Sequence, residues 1–458
     1  MSQHFDWAGY HILIGGEDII DHHLHAIQCE GPEDADKTAK AHKKLLYILK
    51  EMRVRIGTML KTDNVSFLFG AGASIDAGGF SLANIPKPLE KALIERAKSE
   101  KTGGQVPGWI ELFYKSTSML TQDKHSFETR STLYGSPQKK DIPAIAINLE
   151  DYLSHLYLWL AGMIQDTETL MLSGDVKISI NKIDIKKLIK EIKSVYTGLL
   201  DLPKAGLEDP LRSHRKFIKK ILTRPLNLRR ANIFTLNNDT LIEQAADAEG
   251  SVLVDGFVGT LRRIFRPESY EIDFYFPAQT TEGRVHRFDR ALHLYKLHGS
   301  IIWHRCEPDW ENPYGLFATF YDQNIQDDDV LIYPTPLKFG ETLGMPYSEL
   351  FRRLGNTIGQ PQSVLFVIGY GFGDDHVNAL IRQALAIPSF TLVVVDPEPK
   401  SDFVRKLEGL KDERVWIIKG WELGTFNSFI EKLLPDLREE EINAKVMHTF
   451  KELSQVSD

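Results

Sequence analysis

The feature that most constrains this chain runs from Asn64 to Gly79. The apolar run Val65 to Phe69 reads as a buried strand. It ends without a loop in Gly70-Ala71-Gly72-Ala73-Ser74, which is predicted to turn straight into a helix. Small residues there let the backbone approach a ligand closely, and a helix N-terminus offers unpaired N–H groups and a partial positive charge. That is the physical design of a diphosphate cradle. The run departs from the pattern G-x-G-x-x-G, because Ile75 stands where the third glycine belongs. Taken alone, it reads equally as a tight strand-to-helix turn without a ligand.

Composition narrows the classes. The chain has 458 residues, 42% hydrophobic and 26% charged, which is globular and long enough for about two to four structural units. Its 55 basic and 63 acidic residues give a net charge of -8, so direct nucleic-acid binding is not expected. No apolar run reaches transmembrane length, and Met1-Ser2-Gln3-His4-Phe5-Asp6 lacks a basic-then-apolar leader pattern; no membrane partner and a cytoplasmic location are expected. The two cysteines, Cys29 and Cys306, exclude a disulfide framework and a four-cysteine zinc ribbon. Asp21-His22-His23-Leu24-His25, with Cys29 nearby, reads either as a metal cluster or as surface histidines beside a turn. Nothing in the spacing puts ligands on one face, so no metal is expected.

Three regions are expected. Residues 1–61 form an N-terminal helical segment, with a helix over 35–61. Residues 62–420 form the main domain, with a helical insertion over about 86–225 that includes an apolar helix opening at Asn148. Residues 421–458 read as a helical tail. Lysines and arginines gather over 182–230, for example Arg215, Lys216, Lys219 and Lys220; isoleucine and leucine at helical spacing favour a solvated helix face over a nucleic-acid patch. From 231 onward, short β-branched runs at 231–235, 252–254, 293–297, 364–368, 391–395 and 415–418 alternate with helical segments. This alternation predicts an α/β fold, a Rossmann-like doubly wound parallel sheet that strand 65–69 joins.

Open parallel sheets bind ligands beyond the carboxyl ends of their strands. Polar groups follow the strand runs in that position: Thr235-Leu236-Asn237-Asn238-Asp239, then Lys296-Leu297-His298-Gly299-Ser300, then Gly369-Tyr370-Gly371-Phe372-Gly373-Asp374-Asp375-His376, then Asp396-Pro397. Each has a plainer reading, since Asp239 or Asp374 can cap a helix and His298-Gly299-Ser300 can be a turn. Four such groups at four strand ends point to a site.

The ordered series Gly70-Ala71-Gly72-Ala73-Ser74, Thr235-x-Asn237-x-Asp239, His298-Gly299-Ser300 and the turn 369–373 resembles the NAD-binding domain of the sirtuin family. The wording around Lys296–Ser300 and Gly369–Asp375, with Tyr333-Pro334-Thr335-Pro336, is closer to bacterial sirtuin-like proteins of anti-phage defence than to the deacylases. The resemblance covers about 62–85 and 230–420.

The resemblance implies that Gly70, Ala71, Gly72 and Ser74 hold the NAD diphosphate. Asn237 lies beside the nicotinamide ribose and positions the attacking water, Asp239 contacts the nicotinamide side, and His298 is the general base or polar stabiliser there. Thr235 and Gly299 belong to the same binding turns, and Gly369, Gly371 and Asp396 line the adenosine end. The chemistry of the residue types agrees, because breaking the nicotinamide–ribose bond develops oxocarbenium character. An amide and a neutral imidazole can orient a nucleophile without competing covalently. Two departures set deacylation apart: two cysteines cannot build the zinc ribbon of the deacylases, and Gly79-Phe80-Ser81-Leu82 lacks their Pro-x-Phe-Arg continuation. The expected activity is therefore NAD hydrolysis to nicotinamide and ADP-ribose, without metal, by a regulated homo-oligomer. A separate HerA-type ATPase, an Argonaute-like protein or a nucleotide-signal system would be its partner, since the chain has no G-x-x-x-x-G-K-[ST] of its own. A protein deacylase, an ADP-ribosyltransferase and a non-catalytic NAD or ADP-ribose sensor remain alternatives.

Overall fold

The structure, a computed structural model, describes residues 7, 9–28, 35–81, 83–101, 105–121, 124–135, 142–171, 177–276, 286–319, 329–331 and 344–439. Cys29, Leu82, Tyr333-Pro334-Thr335-Pro336 and the end of the tail, 440–458, lie outside the described residues.

The chain divides into two compact units. The first combines Met1–Gly78, Pro203–Val330 and Met345–Asp458. It is built on a nine-stranded sheet. In chain order its strands are β1 (His11–Ile14), β2 (Glu17–Asp18), β3 (Asn64–Phe69), β4 (Asn232–Thr235), β5 (Val252–Val254), β6 (Ala291–Lys296), β7 (Ser363–Ile368), β8 (Thr391–Val395) and β9 (Val415–Lys419). Across the sheet the order is β2-β1-β9-β8-β7-β3-β4-β6-β5. The seven strands from β9 to β5 pair in parallel.

The central strands explain themselves. Val65 to Phe69 and the whole of β7 are buried, as strands covered on both faces must be, and apart from Ser66 and Ser363 their residues are apolar. Phe67 stacks on Phe366 of the neighbouring strand at 5.1 Å, and Phe217 meets Phe67 at 4.9 Å edge-on. Phe426 packs on Phe69 at 5.4 Å. Phe217 lies on the helix Arg212–Ile221, so this helix covers the sheet. By sequence position it belonged to the insertion 86–225, whereas the second compact unit closes at Leu202.

Two features go beyond the expected parallel sheet. The N-terminal segment contributes strands as well as helices: β1 pairs antiparallel with β9 and with β2, so the sheet is mixed at that edge. A second, five-stranded sheet joins Asp329–Leu331, Gly299–Arg305, Leu316–Ala318, Arg263–Phe265 and Phe257–Val258. Two of its strands precede β6 in the chain, and the strand Gly299–Arg305 follows β6 closely, opening at Gly299 with φ +80°.

The second unit, Gly79–Leu202 with Leu331–Gly344, is largely helical. Its helices Pro86–Glu100, Gly108–Thr121, Phe127–Gly135, Leu149–Gly162 and Lys182–Leu200 share a core of Leu89, Phe113, Tyr152, Leu153, Leu156 and Leu188. One buried ion pair specifies its interior. Glu90 receives the Arg130 guanidinium through both oxygens and also accepts from Tyr114 Oη at 3.0 Å and Tyr134 Oη at 2.9 Å. A carboxylate with so many donors carries its charge without an unsatisfied lone pair, the condition under which a buried pair is tolerated.

The basic run is accounted for locally. Arg215 pairs with Glu249 at 2.7 Å, Lys216 pairs with Glu431, and Lys220 donates to the carbonyls of Ile430 and Leu434.

Candidate functional site at the carboxyl edge of the sheet

Strand order reverses at β3. From β3 the chain moves to β4 and outward to β5 and β6, then returns to β7 on the other side of β3 and continues to β8 and β9. The turns leaving β3 and β7 therefore diverge, and the crevice beyond them is the switch point at which such sheets bind ligands.

The glycine turn does more for the protein than sequence shows. Gly70 N donates to Ile368 O at 3.0 Å, Gly72 N to Gly369 O at 2.8 Å and Ala73 N to Gly70 O at 3.0 Å. A Cβ on Gly72 would lie 2.6 Å from Gly369 Cα. A Cβ on Gly369, whose φ is +61°, would lie 2.6 Å from Gly72 Cα and from Ala73 N. Two backbones thus touch with no room for a side chain, and glycine is required at both positions whether or not a ligand binds. The turn leads straight into a helix, as expected, here a seven-residue 3-10 helix over Ala71–Ala77. Ala71 opens it, half-buried, and Ser74 is buried within it. The N–H groups of Gly70, Gly72 and Ala73 are committed to carbonyls of the chain itself.

Ser74 meets the turn after β4. Thr235, buried at the end of that strand, accepts from Asn237 N through Oγ1 at 3.0 Å and fixes the backbone there. The Asn237 amide then reaches back: Nδ2 donates to Gly70 O at 2.9 Å and to Ser74 Oγ at 3.0 Å. A carbonyl oxygen can only accept, so the amide's orientation is set by its partner. Ser74 Oγ in turn donates to Asp239 Oδ2 at 2.7 Å, and Asp239 Oδ1 accepts from Leu241 N at 3.1 Å. The hydrogen-bond chain runs Asn237 to Ser74 to Asp239 and ends on a carboxylate 6% exposed. Both Asn237 amide hydrogens are used, which leaves carbonyl Oδ1 as its remaining hydrogen-bonding atom.

β6 pairs with β4, and Leu297 N donates to Thr235 O at 2.8 Å, so His298 follows on the adjacent strand end. Asn238, buried, secures this neighbour by donating from Nδ2 to the carbonyls of His298 and Gly299. The His298 ring is part-buried, and its Nε2 lies 3.2 Å from Asp374 Oδ2. Asp374 comes from the turn after β7. Its other oxygen caps the helix Asp375–Leu385, accepting from His376 N at 2.9 Å and Val377 N at 3.3 Å. Tyr370 Oη accepts from Asp374 N at 2.9 Å, and Asn378 Nδ2 holds Phe372 O at 2.9 Å, so this turn is internally braced. Phe372 adopts φ +55°, a conformation side-chain-bearing residues rarely take. Gly371 is exposed on the same turn. Asp396 lies further along the edge, after β8; its Oδ1 accepts from Glu398 N at 2.8 Å, and burial pushes its carboxyl up from the usual range.

The structure therefore joins Gly70, Ser74, Thr235, Asn237 and Asp239 in one network and places His298 and Gly299 on the neighbouring strand end. Gly369 abuts Gly72, and no hydrogen bond among those described links Asp396 to the network. Beneath the network, Lys296 Nζ donates to the Asp239 carbonyl and pairs with Glu243 at 2.9 Å; burial pushes the Glu243 carboxyl up against the pull of Lys296. His214, 3% exposed on the helix Arg212–Ile221, is held down to about pH 4 by burial, against the opposing negative charge of Asp239. Asn238 stands in a strand-end run without a signal of its own, Asp374 was legible as a helix cap but not as a partner of His298, and His214 carries no local signal at all. Among the described residues no group of three or more His, Cys, Asp or Glu side chains is arranged to hold a metal ion, and no helix is long and apolar enough to cross a membrane.

The fold is that of a Rossmann-like, doubly wound sheet, with amide, hydroxyl, imidazole and carboxylate groups collected at its switch point, the place where sheets of this class bind ligands. Residues 231–416 match the family model of the SIR2-like domain, which ties this part of the chain to NAD-related enzymatic chemistry. The match begins at β4 and ends within β9, so it takes in Asn237, His298 and Asp374 and leaves the turn 70–74 outside. No curated protein matches the chain.

Proposed function

We propose that the protein is an NAD glycohydrolase that cleaves NAD to nicotinamide and ADP-ribose. The observation that carries this reading is the Asn237 amide. Its two hydrogens are anchored on Gly70 and Ser74, and its Oδ1 is left to accept from a water or a ribose hydroxyl beside His298. NAD fits the residue set, in which the Asp239 and Asp374 carboxylates stand behind Ser74 and His298 and favour a developing positive charge. In the reaction the ribose–nicotinamide C–N bond breaks and nicotinamide leaves with the bonding pair. A water oxygen bonds to the ribose carbon, and its proton passes to His298 or solvent. Asn237 orients that water, and Ser74 and Asp239 hold Asn237. Gly70, Ala71 and Gly72 bring the backbone close to the diphosphate, and Gly369, Gly371 and Asp396 border the adenosine end.

The likeness of Lys296–Ser300 and Gly369–Asp375 to defence proteins supports a role as an anti-phage effector that depletes NAD in the cytoplasm. Control would come through self-association and a separate partner, such as a HerA-type ATPase. The test is purified protein incubated with NAD, with and without a strong chelator and an acylated peptide. Nicotinamide and ADP-ribose should appear in equal amounts, unaffected by either addition. Turnover only in the presence of the peptide would establish a deacylase instead.

A further inference from the structure

We propose that Asp374 is the positioning residue of His298, setting both the direction of its ring and the nitrogen that carries the proton. The inference deepens the reading of the site as an NAD hydrolase and rests on it for its effect on turnover. Its structural part stands on the geometry alone.

Asp374 has two tasks, one for each oxygen. Oδ1 accepts from His376 N and Val377 N and caps the helix Asp375–Leu385. The cap fixes the side chain, since rotating it would strand two helix-end donors. Oδ2 is thereby aimed at His298 Nε2, 3.2 Å away, with both side chains 11% exposed. An ionised carboxylate only accepts, so Nε2 must hold the proton, and Nδ1 of the neutral ring is the acceptor nitrogen. The backbone that carries Asp374 is itself held: Tyr370 Oη accepts from Asp374 N, and Tyr370 leads the turn through Phe372, whose φ is +55°. Among the described residues, the ionisable neighbours on this helix end include Asp375, exposed, and His376, whose ring meets Phe351 at 4.6 Å. A helix cap is thus used a second time, as the orienter of an imidazole on another strand end.

The test is Asp374→Asn. The amide is nearly isosteric and keeps an oxygen for the cap. With that oxygen held by His376 N and Val377 N, its NH2 must face His298 Nε2. A donor there forces Nε2 to become the acceptor and moves the proton to Nδ1. In the full-length protein labelled with 15N-histidine, the unsubstituted chain should show His298 protonated on Nε2, and the variant on Nδ1. His298→Gln assigns the signal. NAD turnover should fall with little change in KM; a ring held in the wrong tautomer costs up to about 10^4-fold in kcat where it serves as the base. Asp374→Ser keeps a capping oxygen without reaching the ring, and separates loss of the cap from loss of the orienter by its thermal midpoint. An Nδ1-protonated ring in the unsubstituted protein, or an unchanged Nε2-protonated ring in Asp374→Asn, overturns the assignment. If the protein releases no nicotinamide at all, the hydrolase reading fails, and the tautomer measurement still decides the role of Asp374.

Discussion

His214 is a buried base and His293 a half-buried one whose ring nitrogens are buried, and both couple stability to pH. Neither ring nitrogen of His293 has a hydrogen-bond partner, nor does His214 Nδ1. Burial, the largest cause for both, holds each at about 4 against an ordinary 6.5; Arg230 adds to it at His293. Both are neutral in the folded protein at pH 7, while the unfolded chain takes up protons first on acidification. Their contribution is intact above about pH 6.5 and is lost as the pH falls from there through 4. Each should remove about 1.4 kcal/mol per pH unit inside that window. Denaturant unfolding at pH 7 and pH 5 measures the slope, and His293→Leu should make it shallower. A stability that does not fall between those values contradicts the account. At the same scale, the clustering of Thr235, Asn237 and Asp239 at one strand end, with His298 at the next, was legible in sequence because each stands at or just after the end of an apolar run. Asp374 was legible as a cap, but its second partner is 76 residues away in sequence and only the sheet order brings the two together.

At the scale of elements, the glycine turn shows how one pattern serves two purposes. Sequence suggested that Gly72 is small to admit a ligand. The structure shows that it is small to admit Gly369. Gly72→Val and Gly369→Ala should therefore lower stability even without NAD, by about 1–3 kcal/mol or more, since a side chain is forced against backbone. Urea midpoints of the two variants against the unsubstituted protein provide the check. Unchanged midpoints would return the glycines to a purely ligand-binding role. The buried strands were readable because continuous β-branched and aromatic runs have few other uses. The helix Arg212–Ile221 was misplaced, because its basic exposed face looks like the insertion before it, while Phe217 and Ile218 turn inward to the sheet. The edge strand β1 and the second sheet were missed for a related reason. β1 lies among glycines and charged residues without a βα context, and the second sheet mixes two- and three-residue strands with Gly299–Arg305, whose opening reads as a turn.

For the whole molecule, the expected self-association has lost part of its basis. The apolar helix that opens at Asn148 would be a natural contact surface, but its Leu153 and Leu156 are fully buried in the core of the helical unit; Trp159 and Leu160 pack against that core, and Leu158 stays exposed. Other exposed apolar side chains, Leu46, Tyr47 and Val54, lie on the helix Ala35–Leu60. A homo-oligomer remains the proposed resting state. Light scattering at micromolar concentration should give a mass above the 52.1 kDa of one chain, and a monomer would remove the proposal.

The central claim is that the network Asn237–Ser74–Asp239 presents one amide oxygen to a water that cleaves NAD. The direct measurement is nicotinamide release by the purified protein, compared with Asn237→Ala at matched thermal midpoint. The account predicts at least about a hundredfold loss of turnover, the scale of a lost orienting group, with folding preserved. Near-normal release by Asn237→Ala would contradict it.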